Sequence, residues 1–234
     1  MTFSEYIENV MGKYPFYWMD PDSMQSLDFP FEITAKEFVL FANRDLQTEG
    51  KHGLANALSN AKRAIDCQVD AVTTTLGIKK ERSFPKKAEN LVKLGLMAPR
   101  VISRINQQRN YLEHEYKIPA KDRVEDAVDT ATLFVELTQR IFRSFQTGYK
   151  FGGSKVDQPL LDYGDNYVMV NFSRKEKKFF VNCYQDEECL VQEEIDASRP
   201  EFIPLLKVTL SSDWNYSDLS HQEIIEEFIA ACRS

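Results

Sequence analysis

The stretch QRNYLEHEY, residues 108–116, concentrates side chains that can do chemistry. Asn110 and His114 are four residues apart and share one face of a helix, and the long side chain of Arg109 can lean toward the imidazole. The stripe therefore offers a fixed cation, an amide and a group that titrates near neutral pH. This set suits RNA cleavage without a metal, because histidine can move the proton of an attacking 2′-hydroxyl while arginine holds the phosphate oxygens.

An ordinary polar helix is the alternative interpretation of the same stretch. In that case Arg109 pairs with Glu113 at the surface, an interaction worth roughly 0.3–0.5 kcal/mol. His114 is then a hydrogen-bonded structural histidine, and Tyr111 and Tyr116 are packing aromatics. The residues by themselves leave both interpretations open.

The segment RNYLEH resembles the R-x4-6-H motif of HEPN domains, helical bundles that often act as ribonucleases in bacterial toxin and phage-defence systems. The resemblance covers about residues 51–147. It implies a metal-independent endoribonuclease without a cofactor, formed as a homodimer through the motif helix. By carry-over, Arg109 binds phosphate, His114 acts as acid or base, and Asn110 supports them. The alternative is a non-catalytic HEPN module that binds RNA, nucleotide or a protein partner.

The longer string RNYLEHEY is similar to the R-x4-H-x-Y signature of HEPN toxins that are paired with a nucleotidyltransferase antitoxin. In those systems the tyrosine accepts AMP and the toxin is silenced, so the resemblance assigns this modification to Tyr116. A phosphodiester beside His114 would bring negative charge to the place of the RNA phosphate. The chain departs from that subfamily, because those toxins are short and lack an acidic α+β extension.

Charge is distributed unevenly along the chain. The net charge is +7 over residues 51–150, −6 over residues 1–50 and −8 over residues 151–234. A basic middle between acidic flanks indicates either contact with a polyanion or neutralisation of the middle by the flanks. Within the middle, residues 79–87 (KKERSFPKK) form either a solvated loop or a guide for an RNA backbone. The predicted RNA-binding residues there are Lys79, Lys80, Arg82, Lys86 and Lys87.

The hydrophobic periodicity predicts an α-helical up-and-down bundle followed by a small α+β domain with an antiparallel sheet. The expected domains are an aromatic N-terminal extension with one helix packing on the bundle, the bundle itself, and an acidic α+β domain, over residues 1–50, 51–150 and 153–234. Four bundle helices are expected over residues 52–76, 84–96, 98–116 and 120–145. A hairpin is expected over residues 166–185, and further strands over 189–195 and 205–212, before a last helix capped by Ser220.

Several classes of protein and site are excluded by the composition. No run approaches 18 apolar residues and the N-terminus lacks a basic start and an apolar core, so we expect a cytoplasmic protein without a membrane span. The four cysteines are spread thinly, and Cys183 and Cys189 are too far apart for a zinc knuckle. We therefore predict reduced thiols, no metal site and no cofactor.

Overall fold

The computed structural model describes residues 1–79, 81–96, 107, 117–155, 166–211 and 220–232. Among these residues there are seven α-helices and a five-stranded antiparallel sheet. The chain divides into two compact units. Asp28–Phe142 forms one, here called the helical unit, and Met1–Leu27 with Arg143–Ser234 forms the other, the sheet unit. The predicted order of a bundle followed by a sheet domain is therefore wrong, because residues 1–27 fold with the C-terminal part of the chain.

The sheet unit opens with α1 (Phe3–Asn9), a 3-10 turn (Met11–Lys13) and β1 (Phe16–Gln25). The helical unit contains α2 (Ala35–Leu46), α3 (Lys51–Thr75), α4 (Phe84–Lys93) and α5 (Lys121–Arg143). The rest of the sheet unit consists of β2 (Phe145–Ser154), β3 (Asn166–Ser173), β4 (Lys178–Gln185), β5 (Glu188–Ile195), α6 (Phe202–Ser211) and α7 (Ser220–Cys232).

The helix ends of the helical unit follow from local capping. Thr34 accepts a hydrogen bond from the backbone N–H of Glu37, and the Glu37 carboxylate accepts one from the backbone N–H of Thr34 at 2.8 Å, which completes a capping box for α2. Gly77 and Gly95 follow α3 and α4 with positive φ angles of 75° and 73°, a conformation that glycine adopts without strain. Thr34 therefore marks the start of α2, and Gly77 marks the end of α3.

The core of the helical unit is built from small and aliphatic side chains on α3 and α5. The apolar residues at helical spacing along α5 are buried: Val124, Val128, Ala131, Val135, Ile141 and Phe142. Val124, Val128, Ala131 and Val135 lie in the same core as the alanines and Leu58 of α3. A buried hydrogen bond of 2.8 Å from Gln68 Nε2 to Thr138 Oγ1 links the two helices. This bond satisfies polar groups that would otherwise be costly to bury.

The sheet unit has the strand order β1-β2-β3-β4-β5, and every neighbouring pair is antiparallel. The predicted hairpin is confirmed as β3 and β4, which pair over their whole lengths. Val168 and Val181 are buried on one face of the sheet, in keeping with the alternation of apolar and polar residues. Helices α6 and α7 pack on this buried face through aromatic pairs, among them Phe151–Phe228 at 5.7 Å and Phe179–Phe202 at 5.6 Å between ring centroids.

The N-terminal extension contains α2, the one helix expected there, and in addition α1 and β1, which belong to the sheet unit. Pro21 lies within β1, which is an edge strand, so the missing proline N–H costs no hydrogen bond between neighbouring strands. The predicted boundary near Gly152–Gly153 lies inside β2, opposite Trp18 and Tyr17 of β1. A Cβ atom on Gly152 would come within 2.3 Å of the Trp18 indole. The glycine therefore makes room for a large ring and does not mark a linker.

Residues 205–212, predicted as a strand, belong to helix α6 and the residues just after it. Leu205, Leu206 and Thr209 are buried with Phe202 at helical spacing. Pro204 lies in the first turn, where a proline does not disturb a helix. The predicted strand is therefore wrong. The β-branched residues Val208 and Thr209 favour a strand, but Pro204 is typical of a helix start and the buried residues recur at helical spacing.

Hydrogen bonds and ion pairs connect the start of α1 with the C-terminal part of the sheet unit. Arg199 Nη2 contacts Glu193 at 3.0 Å and Glu201 at 3.1 Å. Ser4 Oγ donates a hydrogen bond of 2.5 Å to Glu201, and the backbone N–H of Phe3 donates one of 2.9 Å to Glu193. Burial alone would raise the pKa of Glu201, but the hydrogen bonds from Arg199 and Ser4 outweigh it and the pKa is lowered. The carboxylate is therefore held in its charged form.

Candidate functional site

In the sequence, the predicted catalytic residues fall between the last residue of α4 and the first residue of α5. Arg109, Asn110, His114 and the predicted modification site Tyr116 lie outside the described residues. Their roles stay predictions from the sequence. The described part of the chain on either side consists of α4, ending at Lys93, and α5, beginning at Lys121.

The predicted RNA-binding cations of residues 79–87 have different surroundings. Lys79, Arg82 and Lys86 are exposed, and Lys80 lies outside the described residues. Lys87 is largely buried and forms an ion pair of 2.7 Å with Asp70 of α3. The charge of Lys87 is thus neutralised within the fold, and the contact joins α4 to α3. For the three exposed cations, contact with a phosphate backbone stays a prediction from the sequence.

A polar groove of about 420 Å³ runs between the last turns of α2 and the first half of α3. Its residues come from two helices and are Phe41, Arg44 and Asp45 of α2 with Asn56, Ser59, Asn60 and Arg63 of α3. Gly53 sets the approach of the helices, because a Cβ atom there would lie 2.6 Å from the carbonyl oxygen of Asp45 and 2.2 Å from that of Thr48. A larger residue at this position would push α3 away from α2 and widen the groove.

The polar groups of the α2–α3 groove are connected through Asn60. The amide nitrogen of Asn60 donates to Asp45 Oδ2 at 2.8 Å, and Arg63 Nη1 donates to Asn60 Oδ1 at 3.2 Å. Arg44 and Arg63 form no ion pair with any residue that the structure describes. Two guanidinium groups therefore face a groove that contains a single carboxylate, so the lining favours an anion.

This groove was not predicted from the sequence, although the residues of α3 that line it form a recognisable pattern. Asn56, Ser59, Asn60 and Arg63 recur at three or four residues and form a polar stripe along α3. The other half comes from α2, where Arg44 gives no hint of its neighbours. Only the crossing of the two helices at Gly53 brings the halves together.

A second cavity, of about 300 Å³, lies in the sheet unit. It is lined by Lys13 and Lys155 and by Asn166, whose side chain is buried and donates a hydrogen bond to the Tyr14 hydroxyl. The side-chain oxygen of Asn166, Oδ1, has no hydrogen-bond partner among the described residues.

The buried cysteines are unsuited to nucleophilic chemistry. Burial raises the pKa of Cys67 to about 11 and that of Cys232 to about 12, and it raises the pKa of Cys183 further. These thiols are therefore protonated at neutral pH. In the part of the chain that the structure describes, no three His, Cys, Asp or Glu side chains lie together as a metal site would require. Nor does any described helix have the length and apolar character needed to cross a bilayer.

Comparison with known proteins yields no family, curated protein or solved structure that matches this chain. The assignment of function therefore depends on the residues and their arrangement.

Proposed function

We propose that the protein is a metal-independent endoribonuclease whose catalytic residues are Arg109, Asn110 and His114. The observation that carries the proposal is the spacing of arginine, asparagine and histidine in RNYLEH. The charge of the units supports it: the helical unit has a net charge of +2, whereas the sheet unit has −9. The exposed cations Lys79, Arg82 and Lys86 of the helical unit add attraction for a polyanion.

In the proposed reaction the RNA supplies its own nucleophile. His114 takes the proton of a 2′-hydroxyl, the 2′-oxygen bonds to the neighbouring phosphorus, and the bond from phosphorus to the 5′-oxygen breaks. The leaving oxygen receives a proton from a second imidazole, that of His114 in another copy of the chain. Arg109 stabilises the charge on the non-bridging oxygens, and Asn110 orients them. Each general acid or base contributes roughly 10²–10⁴ in rate.

The composite site of this proposal requires a homodimer through the stretch that contains Arg109 and His114. A biological role as the toxin of a toxin–antitoxin or phage-defence system follows from the resemblance to HEPN toxins. Adenylylation of Tyr116 by a nucleotidyltransferase antitoxin would then switch the enzyme off, because the added phosphate competes for Arg109.

The test is RNA cleavage in the presence of EDTA, with analysis of the product ends. The proposal predicts 2′,3′-cyclic phosphate and 5′-hydroxyl ends, and a loss of activity of at least about 10²-fold in Arg109→Ala. Arg140→Ala, which removes an exposed arginine elsewhere in the helical unit, is the matched control and should cleave normally. RNA binding without any product would instead favour the non-catalytic HEPN module.

A further inference from the structure

We infer that the α2–α3 groove binds one nucleotide of single-stranded RNA, with its base on Phe41 and its phosphate between Arg44 and Arg63. The inference rests on the proposed function for its ligand class, RNA, and adds a substrate-binding subsite apart from the stretch of Arg109 and His114. Nothing in the RNYLEH motif points to this groove, because its residues lie on two other helices.

The ring of Phe41 is suited to stacking with a base. Its residue is 37% exposed, a large apolar surface left open at the edge of a polar groove. The ring is held in place by an edge-to-face contact with Phe38, at 6.1 Å between centroids and an interplanar angle of 89°. Phe38 in turn packs against the core of the helical unit. A fixed and exposed aromatic ring is the platform on which single-stranded bases stack.

The two arginines of the groove are available for a phosphate. Three lysines of the helical unit, Lys36, Lys62 and Lys87, each form an ion pair with a carboxylate that neutralises their charge. Arg44 and Arg63 have no such partner among the described residues. The hydrogen bond from Arg63 to Asn60, itself anchored on Asp45, orients one guanidinium before any ligand binds. Preorganisation of this kind lowers the entropy lost on binding.

The remaining groups of the groove suit a base edge or a ribose. Asn56 and Ser59 supply donors and acceptors on the α3 side. The volume of about 420 Å³ lies within the range of small-molecule sites. An aromatic ring, two guanidinium groups and an amide in one groove match the three parts of a nucleotide. A peptide carboxylate would satisfy the arginines but leave the ring without a partner, so RNA is the favoured ligand.

The experiment measures fluorescence anisotropy of a labelled, short single-stranded RNA in EDTA, with every protein carrying His114→Ala to prevent cleavage. Phe41→Ala should weaken binding at least about fivefold, since stacking on an aromatic side chain stabilises a bound base. Arg44→Gln and Arg63→Gln should each weaken binding and lower the slope of log affinity against log salt by about 0.7. Arg140→Gln removes the same charge outside the groove and should leave affinity and slope unchanged.

An abasic oligonucleotide of equal length separates stacking from charge. The effect of Phe41→Ala should disappear on that ligand, whereas the effects of Arg44→Gln and Arg63→Gln should persist. Phe41→Leu keeps an apolar side chain and serves as a control for misfolding. Like Phe41→Ala, it should weaken RNA binding, and its circular dichroism spectrum should be unchanged. Groove variants that bind RNA as tightly as their His114→Ala parent would overturn the inference.

The outcomes also separate this inference from the proposed function. If the wild-type protein never cleaves RNA but the groove variants bind it more weakly, the nuclease proposal fails and the groove inference holds. If the wild type cleaves RNA in EDTA while groove variants keep the parent affinity, the nuclease proposal holds and the groove inference fails.

Discussion

Arg199 of the sheet unit and the two groove arginines of the helical unit have different surroundings. In the sheet unit, Lys178 pairs with Glu194 at 2.5 Å and Arg199 pairs with Glu193 at 3.0 Å, both carboxylates of the same unit. In the helical unit, Arg44 and Arg63 face an open groove with no ion pair among the described residues. The positive charge that a ligand can contact therefore depends on which cations have no ion pair in the fold, as well as on the net charge of a unit.

The cores of the two units differ as well. The sheet unit is packed with phenylalanine and tyrosine rings, whereas the helical unit relies mainly on alanine, valine and leucine. Both tryptophans of the chain, Trp18 and Trp214, belong to the sheet unit. Tryptophan fluorescence therefore reports on the sheet unit, and substitutions in each unit can be compared through it.

The largest expected effect comes from removing a core ring of the sheet unit. Phe151 is fully buried, so Phe151→Ala should lower the free energy of unfolding by about 3–5 kcal/mol. Leu58→Ala, at a fully buried position of the helical unit, should cost about 2–5 kcal/mol. Denaturant unfolding followed by tryptophan fluorescence should show the larger shift for Phe151→Ala. An equal shift of the fluorescence transition in both variants would contradict the description of two separately packed cores.

The next effect concerns the contact between Gly152 and Trp18. Gly152→Ala places a Cβ atom where the indole lies, so the ring must move, at a cost of about 1–3 kcal/mol. The tryptophan emission of the folded protein should shift toward longer wavelength as Trp18 becomes more exposed. Gln192→Ala, at an exposed position of β5, is the control and should leave both stability and emission unchanged.

The difference between Arg199, which forms ion pairs, and the groove arginines can be tested by measuring protein stability as a function of pH. Arg199→Gln should lower stability at neutral pH by about 1–2 kcal/mol, since Arg199 is partly exposed and solvent weakens its pairs. The pKa of Glu201 is lowered in the folded state, so its contribution is present above the ordinary glutamate pKa, about 4.3, and is lost as pH falls through the folded value. The difference between variant and wild type should therefore shrink in acid.

Arg63→Gln is the matched substitution in the helical unit. Because Arg63 has no ion pair with a described residue, its loss should change stability by less than about 0.5 kcal/mol at any pH. Thermal unfolding at neutral and acidic pH measures both variants. A pH-independent loss in Arg199→Gln, or a large loss in Arg63→Gln, would remove the contrast between the two arginines.

A further test concerns the start of α2, the helix that carries Phe41 and Arg44 of the groove. Thr34→Ala removes the N-cap and should cost about 1 kcal/mol, whereas Thr34→Ser keeps the hydroxyl and should cost less. The backbone N–H of Thr34, and then its hydroxyl, lower the pKa of Glu37, so this carboxylate supports the cap above its ordinary pKa and ceases to do so as pH falls. Equal thermal stability of the alanine and serine variants would show that the cap has no role.

Most elements with a local signal could be predicted from the sequence. Thr34 and Gly77 mark helix ends through their own side-chain or backbone properties, and the β3–β4 hairpin follows from alternation around a charged turn. The pairing of β1 with β2 could not be predicted, because Phe16 and Ser154 are far apart in sequence and Pro21 argues against a strand. The same limit applies to the groove, where Arg44 and Arg63 meet only through helix packing.

The rate of RNA cleavage in EDTA by wild type and His114→Ala tests the central claim most directly. His221→Ala removes an imidazole from the sheet unit and serves as the matched control. We expect cleavage by wild type and His221→Ala, and a rate lower by at least about 10²-fold in His114→Ala with an unchanged circular dichroism spectrum. Cleavage by His114→Ala at the wild-type rate, or no cleavage by the wild-type protein, would contradict it.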